Sequence, residues 1–224
     1  MLTRLGLIGI LGWCVLAFAA RAENLSPPYE VVQSTTQQVM AAVAEAQDYV
    51  DEDPERYYDA LQGVLDPVID FRGFARSVMG PYASSERYRS LDEAGREQLR
   101  DQLDRFTEVM RTGLVRTYGK GLLAFGGSRI EVVQTPPEDA GKSRVSVRQL
   151  IYSEEPEPYV VLYQMGRNKA GVWKLRNVII ESVNLGEIYR NQFQAAARKH
   201  NGDLDAVIAN WSTVEVDTAE ISEA

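Results

Sequence analysis

The fold is decided by residues 173–193, WKLRNVIIESVNLGEIYRNQF. This stretch predicts a strand that runs through a short polar turn into a helix rich in aromatic side chains. Because Val178, Ile179 and Ile180 make the strand apolar on both faces, one face can pack on the core while the other lines a second apolar space. The stretch therefore predicts a sheet and a helix that meet across an apolar interior.

Residues 1–22 have the pattern of a secretory signal peptide. Arg4 supplies the positive charge, residues 5–19 form a short apolar run, and residues 20–22 form a cleavage site of the A-x-A type. The apolar run is shorter than the roughly 20 residues that a membrane-spanning helix needs. We therefore expect an exported mature chain that begins near Glu23. Cys14, the single cysteine, lies within the signal, so no disulfide is expected in the mature chain.

The charge balance excludes several classes of function. The signal removes two arginines, which leaves 22 basic and 32 acidic residues and a net charge of −10. That charge argues against nucleic acid as a partner and against electrostatic adsorption to anionic lipid surfaces. His200 is the single histidine and follows a predicted helix, so neither a Ser-His-Asp triad nor a histidine metal site is expected. Glycine-rich nucleotide-binding motifs are absent from the sequence.

The mature chain reads as one α+β domain followed by a tail. Strands at about 128–135, 143–153, 159–167 and 172–183, joined by short connections, predict a four-stranded antiparallel meander. The predicted organisation is a single domain at 23–210, with helices over 29–126, a sheet over 128–183 and C-terminal helices over 186–210, and then an acidic flexible tail at 211–224.

Two helices of the front segment matter for the interior. The helix that follows Pro27-Pro28 carries apolar residues at helical spacing and is interpreted as an ordinary core-facing helix. The longest helix is predicted at 91–118, where Ser90 and Glu93 form a capping box. Gly119 and Gly121 then weaken it. A bend at these glycines would point the apolar side chains that follow into a cavity.

Asp70 is the one carboxylate that invites a catalytic interpretation. In a short helix it could cap the helix or pair with Arg72 or Arg76, which is a structural role. Alternatively it could act as a general base that faces Tyr118 or Tyr163 across a pocket. The sequence alone favours the structural role.

A set of short motifs in a fixed order resembles the MlaC family, also called toluene-tolerance periplasmic proteins. The resemblance covers about residues 30–210. The motifs are Asp70-Phe71, Gly80-Pro81-Tyr82, Leu114-Val115-Arg116-Thr117-Tyr118 with Leu122, Trp173-Lys174, Tyr189-Arg190 and Gln192-Phe193.

The resemblance implies both a fold and a function. The fold would be a curved antiparallel sheet of NTF2-like architecture, covered by helices around a deep apolar pocket. The function would be that of a monomeric periplasmic phospholipid carrier, with lipid as cargo and no cofactor. Its partners would be an outer-membrane lipoprotein-porin complex and an inner-membrane ABC transporter with an MCE-domain subunit, and its role would be to preserve outer-membrane lipid asymmetry.

Twelve apolar or aromatic residues are predicted to line the pocket and contact lipid. Binding dominated by acyl tails predicts weak headgroup selectivity, and enlarging a lining residue, as in Val147→Trp, should block lipid. The predicted residues are Phe106, Met110, Leu114, Tyr118, Leu122, Val147, Val161, Tyr163, Val178, Ile180, Tyr189 and Phe193.

Two alternatives remain open at this point. An NTF2-like scaffold can also host an isomerase or dehydratase, for which Asp70 with a tyrosine would be the required pair. A periplasmic adaptor without a ligand is the third possibility, and it predicts a filled core with no cavity.

Overall fold

The computed structural model describes residues 27–124, 128–134, 139, 141–152 and 156–213, so the predicted signal peptide lies outside the described residues. The described residues form seven α-helices, one 3-10 helix and five strands. In chain order these are α1 (Pro28–Ala46), α2 (Pro54–Leu65), α3 (Phe71–Met79), the 3-10 helix (Gly80–Ala83), α4 (Ser85–Ser90), α5 (Glu93–Ala124), β1 (Arg129–Val132), β2 (Arg144–Tyr152), β3 (Tyr159–Arg167), β4 (Trp173–Ile180), β5 (Val183–Asn184), α6 (Leu185–Lys199) and α7 (Leu204–Ala209).

The strands form one antiparallel sheet in the order β1-β2-β3-β4-β5. Helices combined with an antiparallel meander are therefore confirmed, but the predicted count of four strands is wrong. The fourth predicted segment divides at Glu181, whose φ of 53° lies in the left-handed region. The chain turns there and Val183–Asn184 pairs back with Ile180 and Ile179 as β5. Because residues on both sides of the turn are β-branched or polar, the sequence reads as one strand.

The longest helix begins two residues later than a Ser90 cap would place it. Asp92 is the N-cap, and its Oδ1 accepts a hydrogen bond from the Gly95 amide at 2.8 Å. Ser90 instead donates its hydroxyl to the Arg87 carbonyl at 2.8 Å. The predicted capping box is therefore wrong, because Ser90 ends α4 and an aspartate two residues later satisfies the first turn of α5.

α5 also passes through Gly119 without the predicted break and ends at Ala124. Gly119 instead lies against α2. The Tyr57 hydroxyl, buried on α2, donates to the Gly119 carbonyl at 2.9 Å. A Cβ at Gly119 would lie 2.8 Å from Leu61 Cδ1. This glycine therefore permits close helix packing, while Gly121 has no atom within 4 Å of the position that its Cβ would occupy.

The core consists of three apolar clusters. One lies between α3, α5, α6 and α7, a second between α1, α2 and α5, and the third joins α1 to the sheet through Val32, Val147 and Trp173. Among the described helices, none is both long and apolar enough to cross a membrane.

The folded domain extends beyond the predicted boundary at residue 210. The Trp211 ring lies 5.0 Å from Phe106 and 5.8 Å from Phe193, centroid to centroid. Gln192 Nε2 donates to the Ser212 carbonyl at 2.8 Å. Trp211 therefore belongs to the first cluster rather than to a tail. The remainder of the predicted acidic tail, 214–224, lies outside the described residues.

Candidate functional site

A cavity of about 760 Å³ lies between the sheet and helices α1, α2, α3 and α5. The sheet contributes alternate residues of β2 and β3, together with residues 175–178 and 180 of β4. Ile151, Val161 and Val178 share one face of the sheet by their antiparallel register. The helices contribute apolar side chains such as Leu61 and Phe71. The sheet and helices therefore enclose a space between them that their side chains do not fill.

Helix α1 forms one wall of the cavity. Sequence reasoning did not identify this wall, because it interpreted the helix as an ordinary core element. Val32, Thr35, Thr36, Val39 and Met40 line the cavity at a spacing of i, i+3, i+4, i+7 and i+8. That spacing places all five on one stripe of the helix. Two threonines within an otherwise apolar stripe were the available signal, since a stripe that only packs in a core seldom carries hydroxyls.

Of the twelve residues predicted to contact lipid, the structure brings seven to the cavity. They come from α5, β3 and β4, and they face one another across the space. These seven are Leu114, Tyr118, Leu122, Val161, Tyr163, Val178 and Ile180.

The other five predicted residues do not line the cavity. Phe106, Met110, Tyr189 and Phe193 belong to the first cluster between α5 and α6, and Val147 belongs to the third cluster beneath α1. All five are fully buried. The apolar stripe of α5 continues past the cavity into solid core, and periodicity identifies the buried face without showing where the wall of a cavity ends.

Tyr189 stands directly behind the wall. Its hydroxyl lies 3.2 Å from the hydroxyl of Tyr118, which does line the cavity. Burial, and secondarily the neighbouring Tyr118, raises the pKa of Tyr189 above its usual range. Burial also raises the pKa of Tyr163 to about 12. Both phenols therefore stay protonated at neutral pH, and neither Tyr163 in the wall nor Tyr189 behind it carries a charge.

The amides in the wall have partners within the protein. Gln149, which is 3% exposed, accepts a hydrogen bond from the Thr36 hydroxyl at 3.0 Å. Asn177 donates to Asn184 Oδ1 at 2.8 Å and accepts from the Gly186 amide at 2.9 Å. The Asn177 bonds fix the first turn of α6 to β4. An apolar ligand can therefore enter without breaking these bonds, whose loss in a buried site would be costly.

Asp70 has the structural role, with a partner that the sequence did not indicate. Its Oδ1 accepts the Gly73 amide at 3.0 Å and caps α3, while its Oδ2 pairs with Arg176 of β4. The predicted partners are wrong, because Arg72 pairs with Asp104 and the other candidate, Arg76, donates to a carbonyl of the 3-10 helix that follows α3. Both carboxylate oxygens of Asp70 are therefore engaged.

A metal centre has no basis in the part of the chain that the structure describes, where no group of three histidine, cysteine, aspartate or glutamate side chains could hold an ion. The charged residue that lines the cavity in this part of the chain is Arg176. The lining is otherwise apolar, hydroxylic or amidic.

Comparisons with known proteins agree with this architecture. The family model described as MlaC protein matches residues 33–213. The toluene tolerance protein ttg2D of Pseudomonas putida is 31% identical over 209 residues, which are 93% of this chain and 89% of that protein. A solved structure of a phospholipid-binding protein from Ralstonia solanacearum, in complex with a phospholipid, has a TM-score of 0.67 at 18% identity and covers 82% of this chain and 94% of that one. At that identity the solved structure shows a shared fold, whereas the family model spans most of the sequence. The chain belongs to the MlaC family.

Proposed function

We propose that this chain is a periplasmic phospholipid carrier whose cavity holds acyl chain. The observation that carries the proposal is the apolar cavity of about 760 Å³ between sheet and helices. Ligand sites in proteins occupy about 300–1,000 Å³ and are mostly apolar with few polar groups. A protein that bound no ligand would be expected to fill such a space with side chains.

Burial of hydrocarbon supplies the driving force. Each buried CH₂ is worth about 0.8 kcal/mol, so a chain of about 16 carbons has a gross contribution of about 13 kcal/mol. The net affinity is smaller because ordering the lipid and the protein costs entropy. Since this term depends on the tails, the headgroup alcohol has little influence on binding.

Family membership supports the wider role. The carrier would move phospholipid between an outer-membrane lipoprotein-porin complex and an inner-membrane ABC transporter with an MCE-domain subunit, and would thereby maintain outer-membrane lipid asymmetry. The signal-like residues 1–22 fit export to the periplasm. The acidic net charge of the mature chain, −10 from 22 basic and 32 acidic residues, favours release of the loaded carrier from anionic bilayers. We propose a monomer that uses no cofactor and catalyses no reaction.

The proposal predicts that the mature chain accelerates transfer of phospholipid between vesicles. Donor vesicles would contain phosphatidylethanolamine and phosphatidylglycerol with a trace of fluorescent phospholipid, and acceptor vesicles would lack the label. The transfer rate should rise in proportion to the protein concentration, and the transferred lipid should be chemically unchanged by mass spectrometry. A folded chain that leaves the rate at its protein-free value contradicts the carrier and favours the adaptor. A changed lipid mass favours the isomerase or dehydratase.

A further inference from the structure

We propose that Gln149 donates a hydrogen bond to an acyl ester carbonyl of the bound lipid, so that the cavity selects ester-linked chains; this inference rests on the proposed function. Gln149 lines the cavity and is 3% exposed. It lies directly opposite Val161 on β3, and Val161 lies opposite Ile180 on β4. Directly paired residues share a face of the sheet, and both partners line the cavity. The side chain of Gln149 therefore projects toward the space between the sheet and the helices.

One end of the Gln149 amide is held by α1. The Thr36 hydroxyl donates to Gln149 Oε1 at 3.0 Å, and Thr36 also lines the cavity. This bond links the sheet to the helix across the cavity wall. Because the amide group is planar, fixing Oε1 toward Thr36 also fixes the direction of the two N–H groups on Nε2. Thr36 is therefore a positioning residue for these donors.

The donor end of the same amide has no acceptor within the described part of the chain. An amide nitrogen of this kind carries two N–H groups, and Gln149 Nε2 donates to no oxygen of the described residues. The unpaired side-chain atoms that protein encloses completely in this part of the chain do not include Nε2. An unpaired atom that is not enclosed faces open space. For a side chain that is almost fully buried and lines the cavity, that space is the cavity.

This arrangement differs from that of neighbouring polar groups in the wall. Asn177 uses both N–H groups of its amide, which donate to Gln164 and Asn184. Thr35 donates its hydroxyl to the Val31 carbonyl at 2.7 Å. A buried N–H that lacks an acceptor is costly. An occupant that offers an oxygen to Gln149 therefore binds more tightly than one that offers only hydrocarbon.

The acceptor that fits this donor is neutral. Arg176, the charged residue that lines the cavity in the described part of the chain, is already paired with Asp70. Burying a phosphate or carboxylate against a neutral amide would cost more in desolvation than one neutral hydrogen bond returns. An ester carbonyl is a neutral and effective acceptor, and it lies where each acyl chain joins the glycerol. An ether-linked phospholipid keeps the chains, the phosphate and the headgroup but lacks this carbonyl.

The test is a competition between ester and ether lipids. The mature chain would be loaded from detergent micelles that contain equal amounts of diester phosphatidylethanolamine and its diether analogue with the same chain length, then re-isolated, and its lipids quantified by mass spectrometry. The ester-to-ether ratio in the wild type should be about fivefold higher than in Gln149→Met, which keeps the length of the side chain without the donor. That factor corresponds to about 1 kcal/mol, as expected of one neutral hydrogen bond.

Comparing the ratio between proteins cancels any difference in how the two lipids partition into the micelles. A purely structural role of Gln149 would lower the uptake of both lipids and leave their ratio unchanged. Gln37→Met makes the same substitution at an exposed position of α1, and its ratio should equal that of the wild type. An equal ratio in the wild type and a folded Gln149→Met variant would overturn the inference, because water would then satisfy the amide. A higher ratio in Gln149→Met would overturn it as well, because Oε1 would then face the ligand.

The positioning role of Thr36 gives a second comparison, which stands even where Gln149→Met fails to fold. Thr36→Val removes the hydroxyl that orients the amide at nearly constant volume, whereas Thr36→Ser keeps the hydroxyl. The ester-to-ether ratio should therefore fall about twofold or more further in Thr36→Val than in Thr36→Ser. Equal ratios in these two variants would overturn the inference. If no form of the chain takes up either lipid, the proposed function itself fails.

Discussion

Leu122→Trp should lower the phospholipid held by the purified chain about tenfold or more while the protein stays folded. Leu122 lies on the cavity wall near the end of α5, and the neighbouring Gly121 has open space at its Cβ position. An indole placed there can extend into the cavity, which offers about 760 Å³ beside this residue. Excluding two or three methylenes of acyl chain, at about 0.8 kcal/mol each, is enough for that loss.

The matched control is Lys120→Trp, which places the same side chain on the exposed side of the same helical turn. Lipid content would be measured by extraction and mass spectrometry, and the fold by circular dichroism and thermal unfolding. Normal lipid content in a folded Leu122→Trp variant would contradict the assignment of this cavity. Val147→Trp is unsuitable, because Val147 is fully buried in the third cluster and overpacking a core destabilises the fold itself.

Trp211→Ala should lower the free energy of unfolding by about 3 kcal/mol. The Trp211 ring packs edge-on against Phe106 and also contacts Phe193. Loss of this ring would leave both phenylalanines incompletely covered. The amount of lipid bound per folded molecule should not change, because neither phenylalanine lines the cavity.

Urea denaturation of the delipidated chain measures this effect, since bound ligand would otherwise add to the apparent stability. Trp211→Phe is the control. The indole N–H of Trp211 has no hydrogen-bond acceptor among the described residues, so replacing it with a ring that lacks the donor should cost less than half as much as alanine. Equal losses in the two variants would show that ring packing is not the source of stability.

The strand and helix of residues 173–193 were predictable because their signals are local. Alternation and β-branching mark β4, and the spacing of Tyr189 and Phe193 marks the buried side of α6. The turn at Glu181 was not predictable, because a positive φ at a non-glycine residue is stabilised by tertiary contacts. Its amide donates to the Val160 carbonyl at 2.8 Å on the neighbouring strand.

The sequence predicted an apolar pocket, but it identified only part of the residues that line the cavity. Helical periodicity identifies the buried face of α5, and seven of the twelve predicted residues reach the cavity. Periodicity does not distinguish Leu114 at the wall from Met110 one turn earlier in solid core. The prediction that Gly119 breaks the helix was wrong for a similar reason. Its close contact with Leu61 arises where two helices pack together, which the pattern of one helix does not show.

Arg176 shows the limit of sequence reasoning most clearly. In the sequence Arg176 stands between Leu175 and Asn177, and the alternation of β4 does not indicate which side chains surround it. Its position at the cavity depends on a one-residue shift of register against β3. Such a shift depends on pairing between strands, and one chain segment does not encode it in a recognisable pattern.

The most direct test of the central claim is the identity of the molecule that accompanies the mature chain when it is purified from a Gram-negative periplasm without detergent. Native mass spectrometry of the intact protein, followed by organic extraction, would give the mass and amount of bound lipid. The account predicts phospholipid at close to stoichiometric amounts in the wild type and at least about tenfold less in Leu122→Trp. A folded wild-type chain that carries no lipid, and takes none up from phospholipid vesicles, would contradict it.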